Sequence, residues 1–268
     1  MLATPIITLT TDFGLKDPFA GLMKGVILGI NPDASIIDIT HKIQRHNVFE
    51  ASQTVAMSYA YFPTTTIHLA VVDPGVGSMR RPLLVVTEDH YFIGPDNGVF
   101  SPIFEDLKST FFKVYHITAS HYFLPMRGST FHGRDIFAPI AAWLSKGVDS
   151  NKMGEEIDDY MKIQVPKPVM NDNTITGEIV SIDNFGNAIS NIKRDDLVTL
   201  ADIESKDRFR VVYNNEPVPL VHYYAENENN KLTAVINSFG HLELFSFRES
   251  ASDKYHIKVG DTLSVRIA

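Results

Sequence analysis

Three apolar runs in the first half of the chain each end on polar residues that could do chemistry. Thr11-Asp12-Phe13-Gly14 follows the run from Ile6 to Thr10, Thr40-His41 follows the run that starts at Ser35, and Asp73-Pro74-Gly75-Val76-Gly77 follows Ile67 to Val72. A carboxylate at such a strand end accepts both hydroxyls of a ribose, the usual reason for an Asp beside a nucleoside. An Asp there also serves as a helix cap or turn residue, and for one such residue alone either reading stands. A denser cluster, Gly128-Ser129-Thr130-Phe131-His132-Gly133-Arg134-Asp135, places His132 among small residues at a helix entrance. An imidazole there is accessible and exchanges a proton near neutral pH. Asp135 reads equally as a cap for that helix, and Arg134 as its ion partner. In the second half, Asp183-Asn184-Phe185-Gly186-Asn187 and Asn237-Ser238-Phe239-Gly240-His241 have turn composition. The same loops offer a base the amide of Asn187 for hydrogen bonds and the ring of Phe185 for stacking.

Several common chemistries are excluded by inspection. The chain has no GxxxxGK[ST] phosphate loop, no HExxH and no GxSxG elbow, and Gly75-Val76-Gly77 lacks the third glycine of a dinucleotide fingerprint. The histidines have no HxH or HxxxH spacing, so no metal and no cofactor is expected. With 24 Lys+Arg against 32 Asp+Glu the net charge is −8, and the closest candidate for a basic stripe, Lys193-Arg194, runs straight into Asp195-Asp196. No nucleic-acid partner is expected, because phosphate contacts need clustered cations. No apolar run reaches the roughly 18 residues of a membrane helix, and the start, MLATPIITLTTDFG, lacks a basic segment ahead of an apolar one. The expectation is a soluble, unexported, cytoplasmic protein, and the absence of cysteine fits a reducing compartment.

Elements must hold those residues in place. A length of 268 residues allows one large or two modest domains, and 44% hydrophobic with 21% charged residues supports a full core. Apolar runs at Ile6 to Thr10, Ser35 to Thr40 and Ile67 to Val72 alternate with helical stretches from Phe19 to Ile30 and from Asn47 to Tyr61, the latter opened by capping-box spacing of Asn47 and Glu50. The alternation predicts an α/β domain over 1–165 with a mostly parallel sheet and its ligands beyond the carboxyl ends of the strands. Leu83 to Thr87 and Tyr91 to Ile93 read as a hairpin, and Asp135 to Lys146 as a helix. Prolines at 166 and 168 and the polar run Asn171-Asp172-Asn173 mark a linker. Short alternating segments with turns between them then predict a small antiparallel β-barrel domain over 172–268.

Taken together, TDFG, DPGVGS, PDNG, TFHGRD, DNFGN, NSFG and the closing KVGD resemble, in order and separation, the S-adenosylmethionine hydroxide adenosyltransferases, relatives of fluorinase and chlorinase. The resemblance spans nearly the whole chain. It implies an α/β domain followed by a β-barrel, and a homotrimer in which each ligand lies between the first domain of one subunit and the second of its neighbour. It implies hydrolysis of S-adenosyl-L-methionine to adenosine and methionine, with water activated by Asp73, Arg80 and His132. It also implies that Asp12 holds the ribose hydroxyls, that Asp17 and Phe19 lie near the methionine part, and that Asp183 meets its ammonium. Phe185 and Asn187 would meet the adenine, Ser238 the methionine carboxylate, and main-chain groups from Ser246 to Arg248 the edge of the base, with Phe131 beside the ligand. The halide-using relatives differ at the Asp and His positions and carry a long insertion after the DPGVG-like loop, neither of which is present here. Two stretches depart from the family pattern: His46 replaces a larger aromatic or apolar residue, and Phe247-Arg248-Glu249 replaces an Asn/Gly-rich run. Alternatives are a non-catalytic nucleoside or S-adenosylmethionine sensor, a halide-using transferase, and a metal-dependent phosphoesterase built on Asp12, Asp73 and His132.

Overall fold

The computed structural model describes residues 4–107, 111–125, 128–200 and 209–267. The chain divides into two units, Met1–Val165 and Pro166–Ala268.

The first unit is built on a seven-stranded sheet. Its strands are β1 (Ile6–Thr11), β2 (Ser35–Thr40), β3 (Ile67–Val71), β4 (Pro82–Thr87), β5 (Tyr91–Pro95), β6 (Phe112–Ile117) and β7 (Gly154–Ile157), in the order β2-β1-β3-β5-β4-β6-β7. Helices α1 (Phe19–Ile30) and α4 (Ala138–Ser145) cover one face, and α2 (Val48–Ser58) and α3 (Ser101–Asp106) cover the other. Period-two alternation divides the strand side chains between these layers. Ile7, Leu9, Leu69 and Ile93 join Met23, Ile27 and Ile140 on one side, while Ala70, Leu83, Val85 and Phe92 join Val55 and Phe104 on the other. Asn47 caps α2 by accepting from the backbone N–H of Glu50, and the Glu50 carboxylate accepts from the N–H of Gln44.

The expectation of a mostly parallel sheet is corrected. The pairs β1–β2, β1–β3 and β3–β5 are parallel, but β4–β5, β4–β6 and β6–β7 are antiparallel, so the sheet is mixed. The physical reason is the tight turn Glu88-Asp89-His90, which is far too short for a crossover and can only return the chain antiparallel. The helix expected from Asp135 begins earlier, as a π-helical turn over Gly133–Phe137 that continues into α4.

Among the described residues the second unit holds nine strands: β8 (Val169–Asn171), β9 (Thr174–Ile182), β10 (Ala188–Lys193), β11 (Phe209–Tyr213), β12 (Glu216–Val218), β13 (Leu220–Val221), β14 (Thr233–Ile236), β15 (His241–Phe245) and β16 (Thr262–Ile267). They run β12-β11-β16-β9-β10-β15-β14-β13, with β8 beside β9, and helices α5 (Arg194–Leu200) and α6 (Ala251–Tyr255) flank them. The sheet curls into a barrel-like form around Ile175, Ile179, Leu242, Leu244 and Val265. It is not wholly antiparallel, since β13 and β14 pair in parallel, and residues expected to be linker form β8.

A buried histidine pair under the first sheet gives the fold a pH dependence. His68 Nδ1 meets Thr8 Oγ1 at 2.9 Å, its Nε2 faces His90 Nδ1 at 3.4 Å, and its ring stacks on Phe92. Burial, reinforced by the His90 charge, pushes His68 down to about 3 from an ordinary 6.5, and burial lowers His90 as well. The unfolded chain therefore binds more protons than the native one once pH falls below 6.5. Stability is complete above that value and declines below it by about 1.4 kcal/mol per pH unit for each proton taken up. Urea denaturation between about pH 7 and pH 5 should show this decline, and His68→Gln should flatten it.

Candidate active site

Strand direction gathers the polar groups. Strands β1, β2, β3 and β5 share one direction, so Asp12, His41 and Asp73 emerge at one edge of the sheet. Arg80 reaches that edge for the opposite reason. Because β4 runs antiparallel, its entry lies beside the exits of the parallel strands, with Pro82 opposite Pro95. Strand β6 is antiparallel to β4 and so exits on the same side, and the chain after it leads to His132 at the head of the π-helical turn. Single-turn π-helical segments of this kind cluster at functional sites.

Three of the expected residues meet there. Arg80 Nε donates to Asp73 Oδ1 at 2.9 Å, Arg80 Nη2 donates to Asp73 Oδ2, and Nη2 lies 2.8 Å from His132 Nδ1. The Asp73 and Arg80 side chains are only 6% and 8% exposed, so this is a bidentate ion pair largely removed from water. The guanidinium rests on the Phe137 ring, and its Nη1 is buried with no hydrogen-bond partner among the described residues. Burial, and next the neighbouring Arg80 charge, hold His132 below its ordinary value, so at neutral pH the imidazole is uncharged. An uncharged ring facing the guanidinium accepts at Nδ1 and carries its proton on Nε2. Gly77, at φ +80, lets the Asp73 loop pack directly on the segment before His132, for a Cβ at that position would stand 2.7 Å from the Ser129 carbonyl oxygen.

Beside the trio, Phe13, Phe19 and Phe131 contact one another edge to face with centroids 5.3–5.8 Å apart. Arg134 lies over Phe131 and forms a forked pair with the buried Asp135, which is thereby used structurally. Asp12 Oδ2 accepts from the backbone N–H of His46 at 2.9 Å. His46 holds a left-handed φ of 66°, a strained conformation for a residue with a Cβ. Asp17 is exposed in the turn before α1, and Phe19 is 41% exposed.

In the second unit, Asp183, Phe185, Asn187, Ser238, Ser246 and Arg248 line one cavity of about 670 Å³, a size suited to a small ligand. Asp183 organises its own turn, with Oδ1 accepting from the N–H groups of Phe185 and Asn187 and Oδ2 accepting from the Asn187 side chain at 3.0 Å. The turn reading and the pocket reading of these residues therefore hold together. Phe185 is 76% exposed, its ring free to stack on a planar ligand. Ser246 is buried and donates to the Asn230 carbonyl, while Arg248 lies over Phe247 with φ 59°.

The cavity has a wall that motif reading did not find. Glu243, only 2% exposed, accepts from the Tyr224 hydroxyl at 2.9 Å and from the Asn237 amide at 3.0 Å, and Asn237 Oδ1 in turn accepts from the N–H groups of Phe239 and His241. Burial raises the Glu243 carboxyl above its ordinary range, and burial together with Glu243 raises Tyr224. The one signal in the sequence is an acid inside the otherwise apolar run Leu242 to Phe245.

Comparison with known proteins gives a consistent picture. A profile of the SAM hydroxide adenosyltransferase N-terminal domain matches residues 7–154, and one of the corresponding C-terminal domain matches residues 177–264. An (R)-S-adenosyl-L-methionine hydrolase of Methanocaldococcus jannaschii is 35% identical over 97% of this chain and 95% of its own. A fluorinase of Nocardia brasiliensis is 23% identical over 98% and 97%. The crystal structure of an uncharacterized conserved protein from Thermotoga maritima superposes with a TM-score of 0.89, at 34% identity over 97% of this chain and 99% of that one.

Proposed function

Since the chain belongs to the SAM hydroxide adenosyltransferase family, we propose that it hydrolyses S-adenosyl-L-methionine, in the (R) form that the relative's name carries, to adenosine and L-methionine. The observation that carries this reading is the single guanidinium of Arg80 bonded at once to Asp73 and to His132. A module that only bound the nucleoside would have no use for a buried acid, guanidinium and imidazole joined in this way.

The reaction forms a bond between a water oxygen and ribose C5′ and breaks the bond from C5′ to the sulfonium. The electron pair goes to sulfur, methionine leaves as a neutral thioether, and the water loses a proton. No cation is needed to stabilise the leaving group, since positive charge disappears from it. Water has a pKa of about 15.7, so the attacking oxygen must be deprotonated as it attacks or be held as hydroxide. The tautomer of His132 favours a holding role, because its Nδ1 lone pair already faces Arg80 and its Nε2 carries the proton. Asp73 spends one lone pair of each oxygen on Arg80 and keeps the others for the proton. Arg80 Nη1 supplies a second buried donor for the developing hydroxide. A positioned proton acceptor contributes about 10²–10⁴ in rate, and alignment of oxygen and carbon adds to this.

Asp12 would take the ribose hydroxyls, Asp17, Phe19 and Phe131 the sugar and methionine side, and Asp183 the ammonium. Phe185, Asn187 and the 246–248 main chain would take the adenine, with Ser238 at the methionine carboxylate. We further propose a homotrimer in which each ligand is held by the first unit of one copy and the second unit of its neighbour. Met79, 97% exposed, and Phe19 on the first unit, with Phe185 and Phe239 on the second, are apolar side chains that such an assembly would cover. The cysteine-free composition suits the cytoplasm.

Within the same family halide transfer is the competing activity. Incubation with S-adenosyl-L-methionine should yield adenosine and methionine in equal amounts at a rate indifferent to added chloride or fluoride. A 5′-halogenated nucleoside as the main product would overturn the hydrolase reading.

A further inference from the structure

Behind Asp12 lies a chain of side chains that none of the roles above uses. It starts at the surface, where Lys24 Nζ of α1 donates to Asp38 Oδ2 at 2.6 Å. The other Asp38 oxygen lies 3.0 Å from His41 Nε2 in a bent contact. His41, 4% exposed, presents Nδ1 to Thr11 Oγ1 at 2.9 Å, and Thr11, fully buried, receives the backbone N–H of Phe13 at 3.3 Å.

The protons in this chain can be assigned by elimination. Two lone pairs 3.0 Å apart would repel, so the His41 nitrogen facing the Asp38 carboxylate carries the hydrogen. In a neutral ring Nδ1 is then an acceptor, the Thr11 hydroxyl donates to it, and the hydroxyl oxygen keeps its lone pairs for Phe13. Both hydrogen bonds, from the Phe13 N–H to Thr11 and from Thr11 to His41, then point the same way, toward the side of the ring that faces the acid. The Thr-His-Asp series resembles a nucleophile relay, but the buried Thr11 hydroxyl cannot meet a substrate. A bulge in the β1–β2 pairing makes the series possible. Leu9 pairs with Asp38 while Thr10 pairs with Thr40, and the extra residue turns Asp38 and His41 toward each other. Two backbone bonds tie the same segments, from Gly14 N–H to the His41 carbonyl and from Ile43 N–H to the Thr11 carbonyl. Asp12 therefore sits between two residues, Thr11 and Phe13, whose positions His41 fixes.

We propose that His41, acting through Thr11 and oriented by Asp38, is a positioning residue that sets the direction of the Asp12 carboxylate and hence the grip on a vicinal diol. This rests on the reading of Asp12 as the ribose ligand. It touches no reacting atom and predicts a loss confined to ligands that carry the diol.

The test is calorimetric binding of adenosine and of 2′,3′-dideoxyadenosine to the full chain and to Thr11→Val and Asp38→Asn. Asp38→Asn offers His41 an amide in place of a carboxylate, which allows the ring to invert its tautomer and turn Nδ1 from acceptor to donor. Since Asp38 is 38% exposed, this variant is available even if Thr11→Val fails to fold. Each variant should weaken adenosine by about tenfold, the worth of one hydrogen bond to a charged group, and leave the dideoxy ligand unchanged. In an Asp12→Asn background the same substitutions should cost less than about twofold more, because coupled residues are non-additive. Equal weakening of both ligands, or full additivity with Asp12→Asn, overturns the proposal while leaving hydrolysis intact. A wild-type chain that does not prefer adenosine to its dideoxy analogue overturns the assignment of Asp12, and this proposal with it.

Discussion

Arg80→Lys should lower kcat by about 10²–10³ with substrate affinity largely kept, a loss in the range expected for a positioned proton-transfer or electrostatic group. The guanidinium is a planar fork that serves two acceptors in different directions, Asp73 through Nε and Nη2 and His132 through Nη2. A lysine ammonium is a single point on a flexible stem and cannot reproduce that fork. It keeps a positive charge beside the buried Asp73, so the fold should survive. Arg80→Ala, by contrast, leaves an uncompensated carboxylate that is 6% exposed, and breaking such a pair costs about 3–5 kcal/mol. Rates of adenosine formation, set beside urea denaturation of both variants, separate catalytic from structural loss. Activity of Arg80→Lys within about threefold of wild type would remove the guanidinium from the mechanism.

Gly77→Ala should be a damaging methyl group beside the Asp73, Arg80 and His132 trio. Position 77 combines a left-handed φ of +80° with a Cβ position 2.7 Å from the Ser129 carbonyl oxygen, which is backbone and cannot swing aside. The strained φ and the forced shift together should cost about 1–3 kcal/mol of stability. The loop would move away from the segment leading to His132, so the 2.8 Å contact from Arg80 should open and kcat fall by at least about tenfold. Gly14→Ala is the matched control, since Gly14 has a similar φ of +68° but nothing within 4 Å of its Cβ position. It carries the backbone strain without the displacement. Equal kcat losses in the two variants would show that loop separation is not what matters at Gly77.

Much of this site was legible before any coordinates. The rule that ligands gather beyond the carboxyl ends of parallel strands singled out Asp12, His41 and Asp73 from apolar runs alone. Arg80 was legible only through the family resemblance, because its approach depends on β4 running the other way. An apolar run such as Leu83 to Val86 looks the same in either direction, since a central strand buries both faces whatever its sense. The Glu88-Asp89-His90 turn was the one local mark of the reversal, and its consequence for the whole sheet lay in pairings distant in sequence. Asp183 and Asn187 were legible as turn residues or as ligand groups, and the structure shows why the two readings were hard to separate: the turn they build is itself the cavity wall. Glu243 and Tyr224 are 19 residues apart and meet only when β15 is packed, so no short motif could announce them. The role of His41 behind Asp12 was hidden for another reason, a one-residue bulge that no periodicity records.

The central claim is that water is the nucleophile and ribose C5′ its target. Hydrolysis of S-adenosyl-L-methionine in ¹⁸O-enriched water, followed by mass analysis of the adenosine, tests it most directly. The account predicts one heavy oxygen in the nucleoside, at the 5′ position, and none in methionine. Adenosine that emerges unlabelled, or a sulfonium returned intact, would contradict it.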